Sequence, residues 1–200
     1  MKLNYILLGC IIVIPFACTP TSIQQSWSNP EQKDSTKLFQ KILFVALLKD
    51  AYTRKVAEDK LVEQVRPRGV ASYSYLPNYN AGNYDTSLIS DRLKQDGFDG
   101  IVVMRLITVN KNAVNSPGSF PSYYNSWYGY YSSTFPLYNA QSNNSANQIY
   151  NVETNVYSLQ ENKLLWNGVT TAVNISDKSK MIDGIIAAVK QRMKSQGFIK

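Results

Sequence analysis

The sequence predicts one α/β domain, an α+β sandwich whose mixed sheet of about five strands carries three helices. Three observations lead there. Two continuous apolar runs, 42–48 and 100–104, suit strands buried on both faces. Apolar residues recur at helical spacing in three stretches, each followed by a glycine. Near the C-terminus, two segments alternate apolar and polar residues across a short polar turn. The expected order is β-α-β-α-β, a long loop, then β-β-α. Its first half is parallel with right-handed crossovers, and its last two strands form an antiparallel hairpin.

Each element has its own signal. The run 42–48 lies between Lys41 and Lys49 and forms the first strand. Asp50 is placed to cap the next helix through its carboxylate. Val56, Ala57, Leu61, Val62 and Val65 give that helix its apolar stripe, and Pro67 and Gly69 close it. Residues 70–76 alternate enough for a second strand, ended by Pro77, with a loop at 78–84. Asp85 or Thr86 caps a second helix that buries Leu88, Ile89 and Leu93 and stops at Gly97. The strand from Gly100 extends through Leu106, Ile107 and Val109 and is the candidate central strand. In the hairpin, Val152, Thr154 and Val156 alternate, residues 160–163 turn the chain, and Leu165, Val169, Thr171 and Val173 return it. Trp166 there reads as core. Ser176 caps the last helix, Ile182, Ile185, Ile186, Val189 and Met193 share its buried face, and Gly197 ends it with Phe198 folding back.

The N-terminus carries the localisation signal. Lys2 precedes an uncharged apolar stretch through Ala17, too short for a spanning helix of roughly 20 residues. Polar residues begin at Thr19. The two cysteines, Cys10 and Cys18, both fall in this region, so the domain behind it has no disulfide of its own. The segment resembles bacterial lipoprotein signal peptides, in which a small residue precedes the lipidated cysteine. Ala17-Cys18 fits that place, although no Leu stands three positions before Cys18. Leu7-Leu8-Gly9-Cys10 fits the local pattern but leaves a short apolar stretch and an apolar mature start. An ordinary signal peptide cut near Ala17 is the other reading. The expectation is a signal peptide over 1–17, lipid on Cys18, and a flexible tether through residue 37, rich in Ser, Thr, Gln and Pro. Thr19 after the cysteine resembles an outer-membrane sorting signal and implies a protein facing the periplasm.

A second resemblance spans about residues 38–110 and 148–200. The strand ending Lys49-Asp50, then Arg54 and Glu58 at helical spacing, is similar to small envelope lipoproteins of unknown function. So are Asp99-Gly100-Ile101-Val102-Val103 and Leu164-Leu165-Trp166-Asn167-Gly168. The element order resembles the α/β domain of the N-terminal part of the Tol periplasmic protein, the curli-secretion lipoprotein and the lipoprotein activators of peptidoglycan synthases. The resemblance implies an accessory or scaffolding role and supplies no site residue.

Composition narrows the chemistry. The net charge is +7, and residues 1–17 contribute only Lys2 to it. The basic balance serves simple solubility or, in an exported chain, suits an acidic membrane surface or glycan better than nucleic acid. With no histidine, the usual general base, the histidine triads and most zinc sites are excluded. Ser176 or Ser179 near Lys180 is a chance-level pairing for a Ser-Lys hydrolase. Glu58, Asp59, Glu63 and Asp91 lie among Lys and Arg on helices, where solvated ion pairs are the ordinary explanation. Asp50, Arg54 and Glu58 read as a cap plus an intrahelical pair, or as an exposed charged contact. Asp96-Gly97-Phe98-Asp99-Gly100 runs from helix to strand, the wrong direction for a phosphate loop. No cofactor, metal or catalytic constellation is expected.

The most unusual segment is 112–147. No charged side chain occurs between Lys111 and Glu153. Tyr123, Tyr124, Trp127, Tyr128, Tyr130, Tyr131 and Tyr138 stand there among Ser, Asn, Gly and Pro. A connection this long is usually functional or disordered, and the composition matches binding paratopes. Three readings are open: a surface for an envelope protein or a second copy of the chain, a stacking platform for peptidoglycan or another glycan, and a loop without a ligand. Lys190, Arg192 and Lys194 form a basic patch near the end of the last helix. There they oppose the helix dipole favourably, or rest on anionic lipid or glycan.

Overall fold

The computed structural model describes residues 21–31, 39–76, 86–107, 120–140, 149–173 and 177–199. Cys10, Cys18, Asp85, Ser176 and the expected loop at 78–84 lie outside them. The described residues form a mixed sheet of six strands, with helices on both faces.

The first apolar run is β2 (Ile42–Leu47), with all six residues buried. Asp50 caps α1 (Ala51–Glu63), its carboxylate accepting from the Thr53 amide at 3.1 Å. The chain returns as β3 (Gly69–Ala71), parallel to β2. The expected strand over 70–76 is corrected here: it stops at Ala71 and becomes the short helix α2 (Ser72–Tyr75). The cause is a buried carboxylate. Glu58 on α1 accepts from the Ala46 amide at 3.0 Å, the Tyr73 amide at 2.9 Å and the Ser72 hydroxyl at 2.7 Å. β3 pairs with β2 only as far as Phe44. Glu58 therefore takes the edge donor of Ala46 that a longer β3 would have taken, and an N-terminal amide of α2 besides. Glu58 is fully buried and pairs with Arg54 Nε at 3.0 Å, which corrects both the solvated-pair and the exposed-contact expectations for it. Asp59, Glu63 and Asp91 are exposed.

Helix α3 (Thr86–Gln95) buries Ile89 and Leu93, but Leu88 is exposed, contrary to expectation. It ends as foreseen. Gly97 has φ 81°, and the Phe98 amide reaches back to the Leu93 carbonyl at 2.9 Å. Strand β4 (Gly100–Ile107) lies parallel to β2 and antiparallel to β5 (Ile149–Ser158). β5 forms the expected hairpin with β6 (Lys163–Val173), turning through Asn162 at φ 50°. A register shift on β6 lets neighbouring Leu165 and Trp166 enter one core. The Trp166 indole then lies across Gly168, where an added Cβ would come within 2.2 Å of the ring. Asp177, not Ser176, caps α5 (Lys178–Ser195), accepting from the amides of Ser179 and Lys180. α5 ends at Gly197, φ 69°, with the Phe198 amide bonded to the Met193 carbonyl at 2.8 Å. Gly69, read as a third helix-stop glycine, instead opens β3. It is small there because Val62, Val65 and Phe44 would sit 3.0–3.1 Å from a Cβ.

The sixth strand is the largest departure. Thr21–Ser28, expected inside the flexible tether, forms β1 at the sheet edge, antiparallel to β6. The sheet order is β1-β6-β5-β4-β2-β3. α1 and α5 cover one face, over Phe44, Met104, Val156 and Trp166. α3 and part of the uncharged segment cover the other, over Val45, Ile101, Val103 and Tyr157.

Removing the Glu58 carboxylate leaves buried donors and Arg54 without their acceptor. Glu58→Ala is expected to cost roughly 3 kcal/mol or more, read from the urea midpoint, with Glu58→Gln costing less.

Candidate functional site

The uncharged segment is not an open loop where it is described. Ser122–Asn125 form a 3-10 turn, and Trp127–Ala140 form α4. Ser126 caps α4, its Oγ accepting from the Gly129 amide at 3.2 Å. Gly129 and Pro136 inside α4 argue against a helix on propensity alone. Packing overrides propensity here, because one face of α4 carries rings into the core.

Those rings close over a charge. Along β5, residues 153, 155 and 157 point to one face. Glu153, Asn155 and Tyr157 are all buried there, beneath α4 and the 3-10 turn. Directly opposite Glu153 in register stands Arg105 of β4, and their side chains pair at 3.0 Å. Tyr124 Oη donates to Glu153 Oε1 at 2.7 Å. Tyr130 Oη donates to Oε2 and accepts from Arg105 Nε at 2.9 Å. Asn167 Nδ2 reaches Glu153 Oε1 at 3.2 Å and Asn155 Oδ1 at 2.6 Å. The Arg105 guanidinium also lies 5.3 Å from the Tyr130 ring centre. A buried ion pair is tolerated only when its remaining lone pairs and protons are satisfied. Two tyrosines from the insertion supply that satisfaction. Burial, with the Glu153 charge adding to it, pushes the hydroxyls of Tyr124, Tyr130 and Tyr157 well above the ordinary tyrosine range.

The seven aromatic residues of the expected contact surface therefore separate. Tyr124, Trp127, Tyr130 and Tyr131 are 5, 3, 0 and 3% exposed, so they are core, not paratope. Trp127 donates to Ser90 of α3 at 3.3 Å. Tyr123 is half-buried and lies against Tyr124, the ring centres 4.9 Å apart and the planes tilted by 31°. Tyr128 is 40% exposed. Tyr138 lies within α4, its side chain outside the described residues. The sequence reading missed Arg105 and Glu153. The available signal was one arginine inside an apolar strand and one glutamate on the far side of the uncharged stretch.

What remains outward on α4 is Tyr128, Ser132, Ser133 and Pro136, with Gly129 half-buried between them. This helix face carries no charge. The basic patch is separate. Lys190, Arg192 and Lys194 are exposed on the last two turns of α5, and Lys190 reaches Gln64, the residue just after α1, at 3.3 Å. Among the described residues, no three His, Cys, Asp or Glu side chains come together to hold a metal ion. No described helix is long and apolar enough to cross a membrane.

No protein-family model matches the chain, and no curated protein matches it by sequence. Among solved structures it is similar to a PelC dodecamer from Paraburkholderia phytofirmans, at 8% identity and a TM-score of 0.44, over 84% of this chain and 94% of that one. A single-substitution variant of the same PelC matches at 7% identity and 0.42, over 75% and 84%. Likeness at that level supports no statement about assembly or function.

Two outcomes follow from the buried cluster. Tyr130→Phe removes a hydrogen bond to a charged partner and is expected to cost about 2 kcal/mol by urea unfolding. The tyrosine hydroxyls have folded pKa values raised above their unfolded ones. Their contribution is fully present below about pH 10 and is lost as pH rises beyond it, because the unfolded chain ionises first. The urea midpoint should fall steadily above that pH, and less steeply in Tyr124→Phe.

Proposed function

We propose that this is an envelope lipoprotein, held on a membrane through lipid on Cys18, that works as a non-enzymatic binding or assembly module. The observation that carries the binding role is the outward face of α4. Exposed helix faces ordinarily bear charge, which keeps them solvated. This one presents Tyr128, Gly129, Ser132, Ser133 and Pro136 in a segment without a single charged residue. Covering it desolvates no charge, and its small side chains let a partner's backbone come close. The buried rings beneath hold the face rigid, which lowers the entropy cost of association. The partner is an envelope protein or a second copy of the chain.

Deleting 112–147 would uncover Arg105 and Glu153 and confuse binding with unfolding. Charge placed on the outward face separates them. Tyr128→Asp with Ser132→Glu is expected to leave the urea midpoint within about 1 kcal/mol of the parent. In-cell crosslinking should show the partner or self-oligomer band falling at least tenfold. A band unchanged in the doubly charged variant would sink this reading.

Peptidoglycan or another anionic glycan is the second reading, favoured by the placement of the basic patch. α5 is 18 residues long, so Lys190, Arg192 and Lys194 sit roughly 18–24 Å along its axis from its start. Thr21, which follows Cys18 by three residues, packs against Gly184 of α5, so the patch lies roughly 9–15 Å further along the helix toward its C-terminal end. Replacing all three by glutamate should abolish salt-sensitive co-sedimentation with purified peptidoglycan. If the triple variant pellets as the parent does, the patch serves only the helix dipole.

A further inference from the structure

β1 takes eight residues of the expected tether and begins three residues after Cys18, and this fixes how a lipid-anchored domain would meet the membrane. Only Thr19 and Pro20 separate Cys18 from Thr21, which is buried in the sheet against Ala172. Three residues of extended chain reach at most about 11 Å. A lipid on Cys18 therefore brings one particular end of the sheet to the membrane surface.

The register identifies what else stands at that end. Thr21 pairs with Ala172, Val173 with Ile149, Asn151 with Ile107, and Arg105 with Leu47. The start of β1, the end of β6, the start of β5, and the ends of β4 and β2 thus lie together. α1 leaves from the end of β2 and α5 from the end of β6. Their capping regions touch there, with Lys178 Nζ 3.7 Å from Asp50. α3 runs toward Gly97 and the opposite end, where β4 begins, so its first turn lies at the anchored end.

Among the described residues, three of the four exposed large apolar side chains occupy this end. Tyr52, on the first turn of α1, is 75% exposed, Leu88, on the first turn of α3, 68%, and Ile149, the first residue of β5, 47%. They belong to the helix layer on one face, the helix layer on the other, and the sheet between. A bound peptide in a groove would reach one layer. A flat surface meets all three at once. Lys49, Lys178 and Lys180 stand beside the capping Asp50 and Asp177 on the same end, within reach of anionic headgroups.

We infer that this end is a membrane-resting face, with Tyr52, Leu88 and Ile149 seated in the headgroup region of the leaflet that carries the Cys18 lipid. The inference rests on the lipoprotein reading. An aromatic ring and two aliphatic side chains suit that boundary, where apolar area is buried without crossing the bilayer. The domain then stands upright, with Lys190, Arg192 and Lys194 directed away from the membrane.

The test uses the full chain, matured in cells and reconstituted into phosphatidylethanolamine–phosphatidylglycerol vesicles. Lipid attachment is read first, as incorporation of labelled fatty acid that Cys18→Ser abolishes. Single cysteines at Tyr52, Leu88, Ile149 and Lys194 then carry an environment-sensitive fluorophore, with quenchers on the lipid. Quenching at the first three positions should exceed that at Lys194 severalfold. Equal quenching in a protein that has taken up lipid overturns the docking and leaves the anchor standing. Crosslinks from Tyr52 or Ile149 to a protein, without quenching by lipid, would assign the face to that partner and overturn the docking too. No fatty acid on the protein overturns the anchor, and the docking with it.

Discussion

The packing of the insertion turns on one buried carboxylate. Glu153 sits in the middle of the sheet, where a charge is tolerated only with a full set of donors. Arg105 faces it across the ladder, and Asn167 approaches from β6. Neither strand neighbour can close the site from above. Tyr124 and Tyr130 do so, and to reach Glu153 they must draw the 3-10 turn and α4 onto the sheet. The absence of charge among the inward-facing rings follows from this. A lysine or glutamate among the rings would compete for Arg105 or Glu153 in a region with little water. The aromatic content has the same origin: tyrosine combines a ring that fills core with a hydroxyl that reaches the charge.

Glu58 performs a smaller version of the same task. It ends β3 at Ala71 by taking the Ala46 amide, and starts α2 by taking the Tyr73 amide. Both glutamates lie where the regular ladder or helix cannot satisfy the backbone or a partner charge. Each converts a potential fault in the sheet into a tertiary link. The two faces differ accordingly. The α1–α5 face joins through aliphatic side chains and the Trp166–Gly168 pair. The α3–α4 face joins through hydrogen-bonded rings around Glu153.

Strong local signals in the sequence corresponded to strong local physics. The run at 42–47, the apolar face of α5, the Asp50 cap and the stops at Gly97 and Gly197 need no distant partner to be recognised. What was hidden depended on distant partners. β1 is polar, Thr-Ser-Ile-Gln-Gln-Ser-Trp-Ser, because it is an edge strand, and an edge strand resembles a tether in composition. α4 contains Gly129 and Pro136 and is helical because its rings have a core to enter. Leu88 falls on the expected apolar stripe of α3, yet it lies exposed on the first turn, at the end of the sheet where β1 begins. The arrangement of the expected contact segment was half legible: its extent could be read, but which rings face outward depends on Arg105 and Glu153, far apart in sequence.

The placement of β1 changes how a membrane-held domain would work. A flexible tether of about twenty residues lets a domain sample many orientations, so none of its faces has a fixed direction. A two-residue link removes that freedom. The direction of each face is then set by the ladder register, from Thr21 on β1 across to Leu47 on β2. Under that constraint the far basic end of α5 points toward whatever lies beyond the membrane surface, and the outward face of α4 stands to the side. Neighbouring copies held upright on one leaflet would meet through such side faces, and confinement to a plane raises their effective concentration. An uncharged, pre-ordered face needs little intrinsic affinity to act in that setting. This is the physical reason to place assembly on α4 and longer-range electrostatic contact on Lys190, Arg192 and Lys194.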